Sequence, residues 1–141
     1  MIESIHSHVC LAVSDLERAQ VDLGASLGLT WAAVRMVDTG AGEIRLTYSR
    51  QGPPFLELVE GAPGSLWDPG VSTPPHHTGY WSDDVEADSA RLRAEGMEVV
   101  LDGTAHGRRF VYLRSRHGLT IELTDVQRRP AILAWIAGEP G

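Results

Sequence analysis

The chain has 141 residues, a length that fits one domain with a hydrophobic core of its own. Hydrophobic residues make up 43% of the sequence and charged residues 22%, close to globular averages, so global disorder is not expected. The net charge of −7 argues against a nucleic-acid partner, because phosphate binding requires an excess of Lys and Arg. Cys10 is the only cysteine, which excludes an intramolecular disulfide.

The N-terminal sequence and the distribution of apolar residues bear on the location of the protein. The start, MIESIHSHVC, has no basic segment followed by an apolar run, so we expect no signal peptide. No stretch approaches the roughly 18 consecutive apolar residues that a membrane span requires. We therefore predict a cytoplasmic protein that has no membrane partner.

The first half of the chain predicts a strand, a helix and three more strands. Residues 8–13 are rich in β-forming side chains and indicate a buried strand. Asp15 supplies an N-cap signal, and Gly28 stands where a helix commonly ends. Between them, apolar residues recur at helical spacing: Leu16, Ala19, Leu23 and Leu27. Three β-type runs follow: Trp31–Val37, Glu43–Tyr48 and Phe55–Val59.

The same order of elements recurs after residues 60–75, a linker rich in Pro and Gly. His77–Trp81 predicts a strand, and the cap signal Ser82–Asp84 precedes a short helix that includes Ala87 and Leu92. Three further β-type runs follow: Val99–Leu101, Arg109–Leu113 and Leu119–Thr124. In the tail, residues 126–141, the segment Ala131–Ile136 is consistent with either a short packed helix or a frayed end.

The two halves of the chain align by residue number. Adding 69 to the number of His8 gives His77, and adding 65 to the number of Glu57 gives Glu122. Internal repeats of this kind indicate that one structural unit occurs twice. We therefore predict a single domain, residues 1–141, made of a βαβββ module over residues 5–61 and a second over residues 76–125.

In each half, a His opens the first strand and a Glu lies inside the last strand between apolar residues. Burying an unpaired carboxylate is costly, so its occurrence at two equivalent positions requires an explanation. A divalent metal ion would compensate both carboxylates, and His is its commonest nitrogen ligand. For any single residue another interpretation stays open, in which the His is merely hydrogen-bonded and the Glu faces solvent.

Four segments resemble the vicinal oxygen chelate superfamily, which includes glyoxalase I, methylmalonyl-CoA epimerase, bleomycin-resistance proteins and extradiol dioxygenases. Their sequences are SHVCLAVSDL from residue 7, LELVE from 56, HHTGYW from 76 and TIEL from 120. The His-His and Glu-Leu segments are similar to the epimerase-like branch in particular. The resemblance implies a glyoxalase-like α+β fold, in which two βαβββ modules form a curved, incomplete barrel.

The resemblance also implies the components of a site. One divalent ion (Co²⁺, Ni²⁺, Zn²⁺, Mn²⁺ or Fe²⁺) would be held by four residues: His8, Glu57, His77 and Glu122. Trp81, Tyr80 and Cys10 are the predicted substrate-binding residues. His6 lies on the same face of the chain as His8 and is either its neighbour in the site or an exposed side chain. His76 points away from His77 and is not expected to be a ligand.

The chemistry expected from such a site is proton transfer next to a metal-bound carbonyl, as in an epimerase, isomerase or lyase. Glu57 and Glu122 are the predicted catalytic residues, and the substrate would be a small carbonyl compound or a thioester. We expect a homodimer in which Ala131–Ile136 offers an apolar docking surface. The alternative function is sequestration of a small molecule by a binding or resistance protein, and a dioxygenase is a third, less favoured interpretation.

Overall fold

The computed structural model describes residues 2–138 and contains two successive βαβββ modules followed by a C-terminal helix. The first module comprises β1 (His8–Val13), α1 (Leu16–Leu27), β2 (Arg35–Asp38), β3 (Glu43–Tyr48) and β4 (Phe55–Glu60). The second comprises β5 (His77–Ser82), α2 (Val85–Ala94), β6 (Glu98–Ala105), β7 (Arg108–Arg114) and β8 (Thr120–Asp125). A 3-10 turn, Val126–Arg128, leads into α3 (Arg129–Ala137). Among these described elements, no helix is long and apolar enough to cross a membrane.

All eight strands belong to one sheet, in the order β2-β3-β4-β1-β5-β8-β7-β6. The modules join where β1 and β5 pair in antiparallel fashion, and in each module the first and last strands pair in parallel. The two outer strands approach each other at one end, where the Thr104 N–H donates to the Thr39 carbonyl oxygen over 3.1 Å. The sheet thus curls into an incomplete barrel, which confirms the predicted α+β glyoxalase-like fold.

Local sequence signals account for both ends of α1, and less well for the bounds of the strands. The Asp15 carboxylate accepts a hydrogen bond from the Arg18 N–H at the start of α1, and Gly28 ends that helix at φ 70°. The second strand of the first module begins at Arg35, later than predicted, because Trp31 makes only an isolated bridge to Ser49. The prediction for β6 was too short, since β6 pairs with β7 along almost its whole length.

The two faces of the sheet are covered differently. Helix α2 packs against β7 and β8 on the convex face, and helix and strands together bury five apolar side chains: Val85, Val111, Leu113, Ile121 and Leu123. The concave face is covered by α3, which buries Ile132, Trp135 and Ile136 in the core of the same chain. The predicted dimer surface at Ala131–Ile136 is therefore wrong, because its large apolar side chains apart from Leu133 are already packed.

Candidate metal centre

The fold brings together the four residues predicted as metal ligands. They lie on the four central strands, where β1 pairs with both β4 and β5, and β5 pairs with β8. His8 Nε2 lies 3.2 Å from His77 Nε2, and both nitrogens lie within 3.2 Å of Glu122 Oε1. Glu57 Oε1 lies 3.6 Å from His8 Nε2 and 3.5 Å from His77 Nε2. We call these four residues the His-Glu cluster.

The geometry of the cluster fits a divalent metal ion. Two ligand atoms bonded to one ion at about 2.1 Å lie about 3.0 Å apart at a right angle and about 3.4 Å apart at the tetrahedral angle. The distances given above, 3.0 to 3.6 Å, are close to this range, and all four ligand atoms lie within 4.8 Å of one another. In addition, Glu57 Oε1 is buried and has no hydrogen-bond partner among the described residues. Such an atom is costly unless a cation lies against it.

The electrostatics of the cluster show how strongly it attracts positive charge. Burial alone would raise the pKa of Glu57 and Glu122, but the facing histidines lower the pKa of both carboxyl groups below their usual value. Burial would lower the pKa of His77, yet its neighbours, among them the Glu122 carboxylate, raise it well above the usual value. His77 therefore holds its proton tightly when no metal ion is bound, and a metal must displace that proton.

Of the three predicted substrate-binding residues, the structure brings Trp81 to one of the cavities at the cluster. The Trp81 ring lines a cavity together with His8 and Glu122. Cys10 is fully buried behind the cluster, and burial raises the pKa of its thiol to about 12. Tyr80 is not brought to the site, because alternation along β5 places it with the apolar cluster under α2.

Sequence reasoning missed several residues that surround the cluster. The side chains of Ser7 and His76, each directly before a cluster histidine, contact the other ring nitrogen of that histidine. His6 instead lies beside Tyr80. The repeat contains the signal that would have identified Ser7 and His76, because the offset of 69 that relates His8 to His77 also relates these two residues.

Helix α3 leaves little space above the cluster. Two cavities adjoin it, with volumes of ≈20 Å³ and ≈40 Å³. Both are lined by Tyr48, Glu122, Arg128 and Ile132, and Trp135 closes the larger one. Trp135 is held by a hydrogen bond from its Nε1 to the Ala33 carbonyl oxygen at 2.8 Å. Each cavity therefore has room for about one water molecule, not for an organic substrate.

Comparison with protein families identifies the group to which this arrangement belongs. Residues 7–112 match the family model described as the glyoxalase/bleomycin resistance protein/dioxygenase superfamily. The chain belongs to this superfamily. The matched region includes His8, Glu57 and His77 but ends before Glu122, which the structure supplies from β8. No curated protein sequence matches the chain at a significant level.

Solved structures share the superfamily fold with this chain at low sequence identity. A hypothetical protein from Bacillus halodurans is 18% identical, with a TM-score of 0.67 over 85% of this chain and 92% of its own. A Streptomyces coelicolor methylmalonyl-CoA epimerase variant, in complex with 2-nitronate-propionyl-CoA, is 24% identical, with a TM-score of 0.66 over 84% and 94%. Methylmalonyl-CoA epimerase from Mycobacterium tuberculosis is 22% identical, with a TM-score of 0.65 over 89% and 92%. At these sequence identities, the structural similarity shows a shared fold and nothing about activity.

Proposed function

We propose that the protein is a metal-dependent epimerase or isomerase that moves a proton next to the carbonyl group of a small substrate. The observation that carries this proposal is the His-Glu cluster, in which Glu57 Oε1 is buried and lacks a hydrogen-bond partner among residues 2–138. A bound divalent ion would polarise the carbonyl oxygen of the substrate and so make the adjacent C–H bond more acidic. Solved structures of the same fold in complex with acyl-CoA compounds support a thioester substrate.

The residues of the chain would handle the proton. Glu57 lies in β4 and Glu122 in β8, so the two carboxylates approach the cavity from different modules. One carboxylate would accept the α-proton, leaving the electron pair in the substrate enolate, and a proton returned to the opposite face would invert the carbon. Tyr48 and Tyr112 remain neutral at physiological pH, because burial raises the pKa of both phenols. They can therefore donate hydrogen bonds without competing for the proton.

Arg128 would bind an anionic group of the substrate. Arg128 lines both cavities at the cluster, as do Glu122 and Tyr48. A guanidinium stays charged at all physiological pH values and can form paired hydrogen bonds to a carboxylate. The Arg128 guanidinium would hold a substrate carboxylate near the metal and would not itself coordinate the ion.

Access to the cluster would require movement of α3. Sites for organic ligands usually measure about 300–1,000 Å³, far more than the ≈40 Å³ of the larger cavity. The side chains that fill the difference are Ile132, Trp135 and Ile136, all from α3. We propose that α3 swings away from the concave face when substrate binds.

The alternative function is sequestration of a small molecule, and the lining of the cavities favours it. Phe55, Trp81, Ile132 and Ile136 surround the smaller cavity with apolar surface, which suits an aromatic ligand. A dioxygenase that uses two His and one Glu accounts less well for a fourth ligand. We also propose that the protein is a cytoplasmic homodimer.

Exchange of the substrate's α-hydrogen with solvent deuterium distinguishes catalysis from sequestration. The metal-loaded protein is incubated in deuterated water with a panel of acyl-CoA thioesters and 2-oxoaldehydes, and the α-hydrogen signal is followed by NMR. We expect solvent deuterium to enter the α-position of at least one compound, and chelation of the metal to stop it. Tight binding of a compound without exchange or turnover would instead support sequestration.

A further inference from the structure

Each histidine of the His-Glu cluster is contacted through its second ring nitrogen by the residue directly before it. Ser7 Oγ lies 2.9 Å from His8 Nδ1, and His76 Nδ1 lies 2.8 Å from His77 Nδ1. Ser7 and His76 occupy equivalent positions of the repeat, yet they differ in chemical type. The two modules thus place different side chains in one structural role.

In the second module the hydrogen atoms of the imidazole pair can be assigned from their partners. His76 Nε2 lies 3.0 Å from the Leu66 carbonyl oxygen, which can only accept, so Nε2 of His76 must carry a hydrogen. A neutral imidazole carries a single ring N–H hydrogen, so Nδ1 of His76 is left as an acceptor. His77 Nδ1 must then carry the hydrogen that it donates to His76. When a bound metal displaces the proton from Nε2 of His77, that nitrogen would present a lone pair to the ion, beside Glu122.

In the first module, the hydroxyl group of Ser7 accepts the Nδ1 hydrogen of the cluster histidine. Ser7 Oγ lies 3.2 Å from the Gly79 carbonyl oxygen, to which it donates its hydrogen. The lone pairs of Ser7 Oγ then accept the hydrogen of His8 Nδ1. This arrangement leaves Nε2 of His8 as a lone pair, directed at His77 Nε2 and Glu122 Oε1.

We propose that Ser7 and His76 are positioning residues that fix the rings and tautomers of His8 and His77, so that both Nε2 atoms face one metal ion. The inference rests on the proposed metal centre and adds residues that the ligand set does not contain. His76 also connects the centre to the linker between the modules. Its ring is held by the Leu66 carbonyl oxygen and stacks on Trp67 at a centroid distance of 6.5 Å.

The substitutions that test this role remove or retain the acceptor. Ser7→Ala and His76→Leu leave the Nδ1–H groups of His8 and His77 without their acceptors. Ser7→Thr retains the hydroxyl, and His76→Asn places an amide oxygen close to the position of Nδ1. Loss of such a partner typically weakens metal binding 10–100-fold, and we expect a loss in this range for Ser7→Ala and for His76→Leu. His117→Leu, at an exposed histidine, serves as the control.

The experiment is a titration of each metal-free protein with Co²⁺, followed by calorimetry and by the visible absorption of the bound ion. We expect Ser7→Ala and His76→Leu to raise Kd and change the Co²⁺ spectrum, while Ser7→Thr and His76→Asn recover most of the wild-type values. His117→Leu should match the wild type. The melting temperature of each metal-free variant, measured alongside, separates altered binding from altered folding.

Three outcomes would overturn the inference. If the wild type binds Co²⁺ and both Ser7→Ala and His76→Leu bind it with unchanged Kd and spectrum, the positioning role fails and the metal centre stands. If the wild type takes up no Co²⁺, the proposed centre fails and the inference fails with it. Uptake of two ions per chain, reduced to one by Cys10→Ala, would make His76 a ligand, since Cys10, His76 and His77 also form a possible binding group.

Discussion

Gly79 lies directly opposite His8 across the junction between β1 and β5, and the His8 ring occupies the space where any larger residue would place its side chain. A Cβ atom built on Gly79 would lie 2.0 Å from Cε1 of that ring. The absence of a side chain at Gly79 is therefore what allows His8 to reach the cluster.

The first prediction concerns this contact. Gly79→Ala should displace the His8 ring, cost about 1–3 kcal/mol of unfolding free energy through overpacking, and weaken metal binding. Gly70→Ala is the matched control, since a Cβ atom there would lie 3.1 Å from its nearest neighbour, Asp68 Oδ1, instead of 2.0 Å. Denaturant unfolding and Co²⁺ titration of both variants provide the test. Wild-type stability and Kd in Gly79→Ala would show that His8 does not depend on this space.

The second prediction is a pH dependence of the metal-free protein. The pKa of His77 is raised on folding, so its contribution to stability is complete below the usual value of 6.5 and is lost as the pH rises through the folded-state pKa. The pKa of Glu122 is lowered on folding, so its contribution is present above the usual value of 4.5 and is lost in acid. The cluster should therefore stabilise the metal-free protein most between these two pH values.

Thermal unfolding in the presence of a chelator, from pH 4 to pH 10, measures this dependence. We expect the melting temperature to fall on the alkaline side, and His77→Gln to flatten that decline because the titrating group is gone. Metal affinity should show the opposite trend and increase with pH, since the ion displaces a proton from His77. An alkaline decline of equal size in His77→Gln would assign it to other groups.

The third prediction separates metal binding from catalysis. Glu57→Gln and Glu122→Gln each keep an oxygen near the ion but remove the basic carboxylate. We expect both variants to retain the metal and to lose turnover by roughly 10²–10⁴-fold, the range typical of a lost general base. Metal content and α-hydrogen exchange are measured on the same samples. Exchange at the wild-type rate in both variants would exclude these carboxylates as bases.

The fourth prediction concerns α3. Trp135→Ala removes the side chain that packs against Tyr48 and closes the larger cavity, whereas Leu133→Ala alters a residue of the same helix that is 41% exposed. We expect Trp135→Ala to lower the unfolding free energy by about 3–5 kcal/mol. It should also accelerate removal of the metal by a chelator, while Leu133→Ala should leave that rate unchanged. Equal rates in the two variants would mean that α3 does not limit access.

Much of the fold follows from local patterns that the sequence displays directly. The cap at Asp15, the glycine after α1 and the recurrence of strand, helix and three strands require only nearby residues. The family resemblance supplied the topology of two βαβββ modules that form a curved, incomplete barrel, and the structure has this architecture. The proximity of His8, Glu57, His77 and Glu122 followed from that topology, whereas their role as ligands stays a prediction.

Other features depend on contacts between distant parts of the chain. The helical tail could not be placed from its own pattern, because Trp135 is fixed by Ala33, 102 residues earlier. Tyr80 was assigned to the site although alternation along β5 separates it from Trp81. His76 was expected to point away from the site, yet its ring turns back to His77, a contact that depends on the Leu66 carbonyl group of the linker.

The metal content of the purified protein tests the central claim most directly. Elemental analysis is carried out on the wild type, on the double variant His8→Ala/His77→Ala, and on the control His117→Asn, which removes an exposed histidine. After exposure to a divalent metal and removal of the excess, we predict about one ion per chain in the wild type and the control, and none in the His8/His77 variant. Full metal occupancy in the His8→Ala/His77→Ala variant would contradict the account.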